Sequence, residues 1–489
     1  MEYKKMQKGL DQTCRIPIRW LVIFMAALMA SSISVQADER PNIVMIVADD
    51  LGRQDCGFMG GIEIKTPHLD HLARAGAILD AHYVLPVCSP TRAALMTGRY
   101  PMRHGLQVGV VRPWAQYGLP LAEQLLSQAL KQSGYKTAIV GKWHLGHFEP
   151  EYLPTRRGFD HQYGHYNGAI DYFDHTRDGG FDWHSDDKAS HDIGYSTTLI
   201  ADYAARFVAE NASKSPFFLY VPFNAVHAPH QVPESYMKPY SHLKGERRNY
   251  AGMLAAMDEA VGRIVKSVES AGIRHKTLFL FTSDNGGPSP GKITDNGRFR
   301  AGKGTLYEGG VRVAAFATWD NHINAGITIR EPIHAVDWYP TLTKLAGATP
   351  DQNLPLDGMD IWPVIVAGAR SPHDAILLNS TPNQGAIRAG DWKLVVKNGD
   401  ENPDGDEPAK SKQAKPKKAA VRSVELFDLN ADPYESINLA TDRPEKVLEL
   451  KTRLDQFARQ AIRPKARPKP NGFQAPQVWG ESNAKAIKK

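Results

Sequence analysis

The 489-residue sequence predicts an α/β protein built on one large, mostly parallel β-sheet with helices on both faces. Short apolar, β-branched runs alternate along the chain with longer segments of helical periodicity, which is the pattern of a helix-covered parallel sheet. Several of these runs end in polar residues, as strands do when a site lies beyond their carboxyl ends. From about residue 370 the pattern changes to short strands, which predicts a smaller C-terminal domain of antiparallel strands and one helix.

The individual elements support this architecture in chain order. PNIVMIVADD, residues 41–50, is a β-branched run that ends in two acids and predicts a buried strand. The same reasoning predicts helices in residues 66–77, 195–211, 250–272 and 444–462. It predicts strands in residues 216–230 and 277–287. Residues 119–146 are predicted to form a helix that ends at Gly134, followed by a strand. Residues 216–230 end in a loop that contains histidines.

The two ends of the chain predict its domain organisation and its location. A basic leader, an apolar run and small residues at the start predict a secretory signal peptide, with an uncleaved anchor as the alternative. We therefore expect an exported protein, periplasmic or secreted, with no stable membrane association after cleavage. The predicted segments are a signal peptide at 1–37, a catalytic domain at 38–370, an α+β domain at 371–463 with a disordered charged loop at about 398–421, and a flexible basic tail at 464–489.

Composition and charge exclude some functional classes. Hydrophobic residues at 42% and charged residues at 23% are ordinary for a soluble globular protein. The formal net charge of +6 is modest, and much of the basic excess lies at the two ends of the chain. A nucleic-acid partner is therefore not expected, although a mildly basic surface suits an anionic polymer.

Cys88 is one of three cysteines in the chain and precedes a predicted helix. Ser89 can cap that helix, Pro90 suits its first turn, and Gly98 is expected to end it. Free N–H groups at a helix start favour an anion, and Arg92 lies one turn further along the same side.

Two interpretations of this cysteine follow from the residues alone. Loss of the signal peptide would leave only Cys56 and Cys88, which permits one disulfide in an exported protein. Alternatively, the position at a helix start suits a thiol nucleophile.

Other polar residues follow the predicted strands. Asp49, Asp50, Asp284 and Asn285 offer hard oxygen ligands at two strand ends, which suits Ca²⁺ or Mg²⁺. Basic side chains also occur in strand-end loops, namely Lys142, His144, His227 and Lys303. If the GKWHLG loop is extended, its lysine and histidine face the same side.

The segment CSPTRAALMTGRYP resembles the signature of the type I sulfatases, C-x-P-x-R followed by T-G-R. Other segments look like blocks of the same family in the same order: NIVMIVADDLG, GKWHLG, LPTRRGFD, DNGG, GKGTLYEGGVRV and ELFDLNADPYESINLA. The stretch from AVHAPHQVPESYMKPY to YAGMLAAMDEAVG is especially similar to the arylsulfatase B, or N-acetylgalactosamine-4-sulfatase, branch. The resemblance implies the alkaline-phosphatase-like fold.

The resemblance also implies cofactors and roles. A maturation enzyme would oxidise Cys88 to formylglycine (3-oxoalanine), whose hydrate attacks sulfur and forms a covalent sulfate ester. One Ca²⁺ per chain, with Mg²⁺ less favoured, would be held by Asp49, Asp50, residue 88, Asp284 and Asn285. His227 with Lys303 would protonate the leaving sugar oxygen, and His144 would take a proton from the second hydroxyl. Arg92 and Lys142 would offset charge on the sulfate and the hydrate.

The implied reaction is hydrolysis of a sulfate monoester on a saccharide, with galactosamine 4-sulfate of chondroitin- or dermatan-type glycans as the expected substrate. A sugar subsite is predicted at His165, Asp171, Tyr172 and Trp183, together with the loop at residues 111–118. His104, Cys56 and Asp337 are interpreted as structural. The alternatives are a phosphate mono- or diester hydrolase of the same superfamily and a sulfated-glycan-binding protein without activity.

Overall fold

A computed structural model describes residues 40–481, except residue 352 and residues 398–422. The predicted signal peptide at 1–37 and the predicted disordered loop at about 398–421 lie outside the described residues. Residues from Arg40 onward form one compact unit. Among the described residues, no helix combines the length and the apolar composition that crossing a membrane requires.

The strands and helices that the sequence predicts are present, with differences in their ends, and further short elements lie between them. The strands are β1 Asn42–Ala48, β2 Ala77–Leu79, β3 His82–Tyr83, β4 Lys136–Lys142, β5 His161–His165, β6 Thr176–Arg177, β7 Gly180–Phe181, β8 His184–Ser185, β9 Lys188–Ala189, β10 Phe217–Pro222, β11 Thr277–Ser283, β12 Ala315–Thr318, β13 Ile327–Ile329, β14 Ile333–His334, β15 Ile376–Ser380, β16 Gln384–Ala389, β17 Trp392–Lys397 and β18 Ser423–Asp428.

The helices alternate with these strands through the first three quarters of the chain. They are α1 Pro67–Arg74, α2 Cys88–Thr97, α3 Leu126–Gln132, α4 Ser196–Asn211, α5 Glu234–Met237, α6 Gly245–Ser270, α7 Glu308–Val311, α8 Trp338–Leu345, α9 Trp362–Ala367 and α10 Pro444–Ala458. Helix α3 begins later than its apolar pattern predicted, because Gln128 accepts the Leu125 N–H at 2.9 Å and so defines the start of the helix.

A ten-stranded sheet forms the centre of the fold, in the order β13-β2-β12-β11-β1-β10-β4-β5-β8-β9. Its five central strands, from β11 to β5, are parallel to one another, as the sequence predicts. Most of the flanking pairs are antiparallel and β13 pairs parallel with β2, so the whole sheet is mixed. The carboxyl ends of the central strands therefore meet at one edge of the sheet.

Strand β1 shows why both faces of the sheet are covered. Ile43, Met45 and Val47 belong to one buried cluster, and Val44 and Ile46 belong to another. Successive side chains of a strand point to opposite faces, so a continuous apolar run requires a core on each side. Helices α4 and α6 cover the second cluster, and α2, α3 and α8 cover the first.

The predicted C-terminal layer is confirmed as a four-stranded antiparallel sheet, β15 to β18, with helix α10 packed on it. It is not a separate folding unit, because Leu377 and Ile387 lie in the same buried cluster as the central strands. Its other face carries Leu378 and Phe427, which pack with Leu306 of the loop before α7.

A buried ion cluster joins this layer to the main body. Lys393 of β17 lies 2.8 Å from Glu308 Oε1 and 2.7 Å from Glu435 Oε1, and all three side chains are 1% exposed or less. Burial alone would raise the pKa of Glu308, but Lys393 and Arg312 lower it to about 2. Burial raises the pKa of Glu435 above its ordinary value. One ammonium group therefore stabilises two carboxylates in the interior.

The segment at residues 462–481, here called the C-terminal strap, is packed on the body of the protein. The prediction of a flexible tail from residue 464 is therefore wrong for the residues that the structure describes. Ile462 and Lys465 donate their N–H groups to Met102 O and Gly105 O at 2.9 and 2.8 Å. Trp479 is 3% exposed. The sequence of this segment is rich in proline and lysine, which suggests flexibility. The residues that it contacts lie far away in the chain, so its own sequence does not indicate this packing.

We expect Lys393→Met to lower the free energy of unfolding by about 3–5 kcal/mol at pH 7, since two buried carboxylates lose the cation that they share and only Glu308 keeps another, Arg312. Glu308 stabilises the wild type above its unfolded pKa, and this contribution is lost as pH falls toward 2. In the variant both carboxyls should have higher pKa values than in the wild type. The difference in the free energy of unfolding between the two proteins should therefore become smaller between pH 7 and pH 4.

Urea denaturation at several pH values measures both effects. Lys397→Met on the same strand is the matched control, because its ammonium group lies at a partly exposed position and donates to Tyr307 OH. An equal loss of stability in the two variants would contradict the buried-cluster interpretation.

Candidate active site

Four neighbouring strands bring polar side chains to one edge of the sheet. Asp49 follows β1, Asp284 follows β11 and His227 lies beyond β10, while Lys142 is the last residue of β4. These strands are adjacent in the order β11-β1-β10-β4. Residues far apart in sequence therefore meet, as the parallel-sheet prediction requires.

A group of possible metal ligands lies at this edge. The ligand atoms of four buried residues lie within 4.8 Å of one another: Asp49, Asp50, Cys88 and His227. Asp284 and Asn285 lie against this group, because Asp50 N donates to Asp284 Oδ1 at 3.2 Å and Asn285 Nδ2 donates to Asp50 Oδ1 at 2.7 Å. The predicted ligand residues are thus gathered at one place, and His227 joins them.

The residues present fit a hard cation. Asn285 Oδ1 is buried and accepts no hydrogen bond from any described residue, so it is an oxygen that lacks a donor or an ion. Burial raises the pKa of the Asp49 carboxyl well above its ordinary value, and the neighbouring Asp284 adds to this effect. Buried carboxylate and amide oxygens without enough donors are the set that Ca²⁺ and Mg²⁺ bind.

Cys88 is the first residue of helix α2 and is completely buried. Its Sγ lies 3.5 Å from Asp49 Oδ1. The expectation that Ser89 caps the helix is wrong, because Ser89 Oγ donates to His144 O at 2.9 Å and accepts from Val111 N at 3.0 Å. Ser89 thus joins three loops around the cysteine, and Gly98 ends the helix as predicted with φ of 68°.

Neither simple interpretation of Cys88 matches its surroundings. Among the described residues, Cys56 and Cys88 are buried and neither forms a disulfide. Burial raises the pKa of the Cys88 thiol, and the nearby Asp284 raises it further. A raised pKa disfavours the thiolate, which is the nucleophilic form of cysteine.

Three cations lie against the carboxylates. Arg92 donates to Asp284 Oδ2 through Nε at 3.0 Å and through a terminal nitrogen at 2.7 Å. Lys142 Nζ lies 2.5 Å from Asp49 Oδ2, and Lys303 Nζ lies 2.8 Å from Asp50 Oδ2. Burial alone would raise the pKa of Asp50, but Lys303 and then His227 lower it to about 2.

These contacts fix the charge balance of the site. Three carboxylates face three cations, so the pairs are close to neutral together. A divalent ion bound among them makes the site positive, which complements an anionic ester. The cations are held by short contacts in a buried region, so little reorganisation is needed when an anion binds.

His227 and Lys303 form a pair that can deliver a proton. His227 Nδ1 lies 2.6 Å from Ala228 O, and a carbonyl only accepts, so Nδ1 carries the hydrogen. His227 Nε2 lies 3.2 Å from Lys303 Nζ. A proton can therefore be shared between these two nitrogens, next to the group of possible metal ligands.

His144 takes a conformation that the sequence did not indicate. The loop after β4 is not extended, since His144 has φ of 58°, in the left-handed region. The expectation that Lys142 and His144 face one side of an extended segment is therefore wrong. His144 Nε2 lies 3.1 Å from Val111 O, so Nε2 carries the hydrogen and Nδ1 is the nitrogen that can accept a proton.

Tyr172 holds the loop that contains His227. Its hydroxyl bridges Asn224 O and His227 O at 2.5 and 2.8 Å, and its side chain is buried. The geometry thus makes Tyr172 a positioning residue for His227, in contrast to the predicted place in a sugar subsite. Asp171 accepts from Phe173 N and from the Gln231 side chain, which shapes the loop beside it.

His165 and Trp183 are also buried completely, at 0% exposure. Their rings are stacked with centroids 6.3 Å apart. Burial lowers the pKa of His165 to about 3, so the ring is neutral. Both side chains are therefore part of the protein interior and offer no surface to a saccharide. This differs from their predicted place in a sugar subsite.

The residues interpreted as structural have ordinary structural surroundings. Burial lowers the pKa of His104 to about 3. Asp337 accepts from Met359 N at 3.0 Å and lies 2.7 Å from His373 Nε2. Cys56 is buried in the second apolar cluster.

A cavity that the sequence did not indicate lies beside the site. Its volume is about 180 Å³, and it is lined by Val87 and Gly304, the chain neighbours of Cys88 and Lys303. Its other wall comes from the C-terminal layer, including Asn379, Thr381 and Gln384. No sequence signal marks these residues, because only the packing of the C-terminal sheet brings them to the site.

Comparison with known proteins gives consistent results. Residues 41–348 match the family model described as sulfatase. Arylsulfatase J of Mus musculus is 36% identical over 92% of this chain and 83% of its own length. N-acetylgalactosamine-6-sulfatase of Mus musculus is 34% identical over 71% of this chain and 70% of its own length.

Among solved structures, this fold is similar to Ps i-CgsB in complex with k-i-k-neocarrahexaose. The TM-score is 0.77 and the identity 32%, over 87% of this chain and 94% of that one. The predicted alkaline-phosphatase-like fold is confirmed by this likeness.

We expect an added divalent cation to raise the melting temperature, since an ion that binds only the folded state stabilises it by about 2.7 kcal/mol at 100 times its Kd. Asn285→Ala removes one oxygen and should reduce that gain. Calorimetry after chelation, with Ca²⁺ and Mg²⁺ titrated separately, measures it. Asn430→Ala, at an exposed turn, is the control, and an unchanged gain in Asn285→Ala would exclude this residue as a ligand.

Proposed function

The chain belongs to the sulfatase family and hydrolyses sulfate esters, and from this we propose that its substrate is a sulfated galactosamine-type saccharide cleaved with a formylglycine at position 88. The observation that carries the proposal is the position of Cys88. It begins α2 with Sγ 3.5 Å from Asp49, in the group that includes Asp50 and His227.

Conversion of Cys88 accounts for a buried cysteine without a disulfide at this position. When present, formylglycine supplies a hydrated aldehyde with two hydroxyl groups, one to attack sulfur and one to expel sulfate later. The proposal includes a maturation enzyme as a partner of the unfolded or newly exported chain. Arg92 and Lys142 then offset negative charge near residue 88, because both lie against its carboxylate neighbours.

Proton transfer is assigned to two histidines with opposite tautomers. His227 with Lys303 donates a proton from the Nε2 side to the leaving sugar oxygen, since these nitrogens already lie 3.2 Å apart. His144 accepts a proton at Nδ1 from the residue 88 side chain, since its Nε2 is held by Val111 O.

We assign the metal as one Ca²⁺ per chain, held by Asp49, Asp50, residue 88, Asp284 and Asn285. When bound, the ion supplies positive charge that polarises the sulfate oxygens. Mg²⁺ is less favoured, since it demands a tight octahedral arrangement, whereas the amide and carboxylates here come from two separate loops.

The proposed substrate is the 4-sulfate of N-acetylgalactosamine in chondroitin- or dermatan-type chains. The similarity to N-acetylgalactosamine-6-sulfatase supports the sugar and makes the 6-sulfate the competing position. The similarity to a structure with bound neocarrahexaose favours a second candidate, a carrageenan-type oligosaccharide. An N-terminal signal peptide would place the enzyme in the periplasm or outside the cell.

Two other functions are separated by experiment. A phosphate mono- or diester hydrolase of the same superfamily would cleave phosphate esters faster than the matching sulfate esters. A glycan-binding protein without activity would retain cysteine at position 88, which mass spectrometry of the tryptic peptide 75–92 detects.

We expect protein purified from its own host to release sulfate from N-acetylgalactosamine 4-sulfate, and Cys88→Ala to be inactive. The panel contains the 4- and 6-sulfates, a neocarrahexaose and the matching phosphate ester, and ion chromatography measures the released anion. Cleavage of another sulfated sugar would overturn the substrate assignment alone. Release of sulfate by Cys88→Ala would overturn the role of residue 88.

We expect His227→Ala to lower kcat on a sugar sulfate by about 10²–10⁴-fold, since the alkoxide leaving group needs a proton. The loss on 4-nitrophenyl sulfate should be much smaller, because nitrophenolate leaves without one. His230→Ala, three residues further on the same loop, is the control. Equal losses on both substrates would mean that His227 acts on the metal or on binding and does not protonate the leaving group.

A further inference from the structure

The geometry points to a second anion-binding region, formed by the C-terminal strap and the loop at residues 111–118, that holds a sulfated saccharide chain beyond the ester being cleaved. This inference rests on the proposed function, since it names the polymer that the same site acts on. We call the region the Trp114 groove. Its members are Trp114, Tyr117, Lys465, Arg467 and Lys469.

The groove is a built cavity with an aromatic floor. Its volume is about 420 Å³, and Trp114, Tyr117, Lys465 and Arg467 contribute to its lining. Both aromatic side chains are half-buried, so part of each ring is accessible. A sugar ring packs its apolar face on such a surface and keeps its hydroxyl groups in water.

Main-chain contacts fix the strap against this floor. Trp114 Nε1 donates to Arg467 O at 3.1 Å, and Lys465 N donates to Gly105 O at 2.8 Å. Phe473 packs edge-on against Trp114, with ring centroids 6.2 Å apart. The side chains of the strap cations therefore project from a fixed backbone, which lowers the entropy lost when they bind an anion.

The cations in the groove are not neutralised by the protein. In the part of the chain that the structure describes, no carboxylate forms a salt bridge with Lys465, Arg467 or Lys469, and Arg467 donates only to the main-chain oxygens of Pro464 and Ala466. Lys469 Nζ lies 5.6 Å from the centre of the Trp114 ring and 5.4 Å from that of Phe473. Three cations without acidic partners, one of them over two aromatic rings, match a chain of sugars that carry sulfate groups.

The groove lies next to the cavity beside the active site. Val111 O accepts a hydrogen bond from His144. Trp114 is three residues further along the chain, so the Cα atoms of Val111 and Trp114 are at most about 11 Å apart. The cavity beside Cys88 and Lys303 is lined by Pro464, and the Trp114 groove is lined by the next residue, Lys465. A saccharide with its ester at residue 88 can therefore extend along the strap.

A sulfated saccharide fits better than a nucleic acid for two reasons. The net charge of +6 is modest, and the row of cations is short. The row of cations also lies next to the proposed site for sulfate esters. Once one sulfate of a saccharide is bound there, a second sulfate of the same saccharide is held close to these cations.

The test compares a long and a short substrate in the full chain. Arg467→Gln/Lys469→Gln removes two exposed charges and the hydrogen bonds from the Arg467 side chain to Pro464 O and Ala466 O. It leaves the N–H contacts of Ile462 and Lys465 and the bond from Trp114 to Arg467 O in place. We expect the ratio of kcat/KM on a chondroitin 4-sulfate tetrasaccharide to that on N-acetylgalactosamine 4-sulfate to fall about ten-fold, the size expected from two partly exposed ion pairs. The loss should lie in KM and shrink as salt is added.

Lys266→Gln/Lys276→Gln is the matched control, since it removes two exposed charges, one of them at the opposite end of β11. It should keep the wild-type ratio, and melting temperatures check that both double variants fold. An unchanged ratio in Arg467→Gln/Lys469→Gln, or the same fall in the control, would overturn the inference. Equal inhibition by a DNA oligonucleotide of the same charge would overturn the assignment to a saccharide.

Failure of the proposed function gives a different result. In that case neither substrate releases sulfate although residue 88 is an aldehyde. Calorimetric binding of the tetrasaccharide to wild type and to Arg467→Gln/Lys469→Gln still tests the groove, because it requires no cleavage. Equal affinities there would overturn the groove alone.

Discussion

The structure depends on the burial of three carboxylates against three cations at one edge of the central sheet. Asp49, Asp50 and Asp284 are each 4% exposed or less, and Arg92, Lys142 and Lys303 lie within 3 Å of them. Removing charges from water is costly unless the partners are close and fixed. The strands, helix α2 and the loop before α7 all serve to hold these partners in place.

The C-terminal layer takes part in this arrangement. Lys303 comes from a loop that ends at Glu308, and Glu308 is held by Lys393 of the C-terminal sheet. The same sheet supplies one wall of the cavity beside the site. Its contribution therefore reaches the site, since it positions a cation that contacts Asp50 and His227 Nε2.

The two histidines show how local geometry sets chemical roles. Both have one ring nitrogen held by a main-chain carbonyl, but the nitrogen differs: Nδ1 in His227 and Nε2 in His144. One ring is thus prepared to share a proton with Lys303, and the other to accept one at Nδ1. Tyr172, Ser89 and Val111 enforce this difference without touching the reacting atoms.

The pattern of apolar and polar residues was enough to predict the parallel centre of the sheet and the meeting of Asp49, His227 and Asp284, because parallel strands bring their carboxyl ends to one edge. The left-handed conformation of His144, the burial of Trp183 and the packing of the C-terminal strap could not be predicted in this way. These features depend on contacts between residues far apart in the chain. Short-range periodicity and composition contain no information about such contacts.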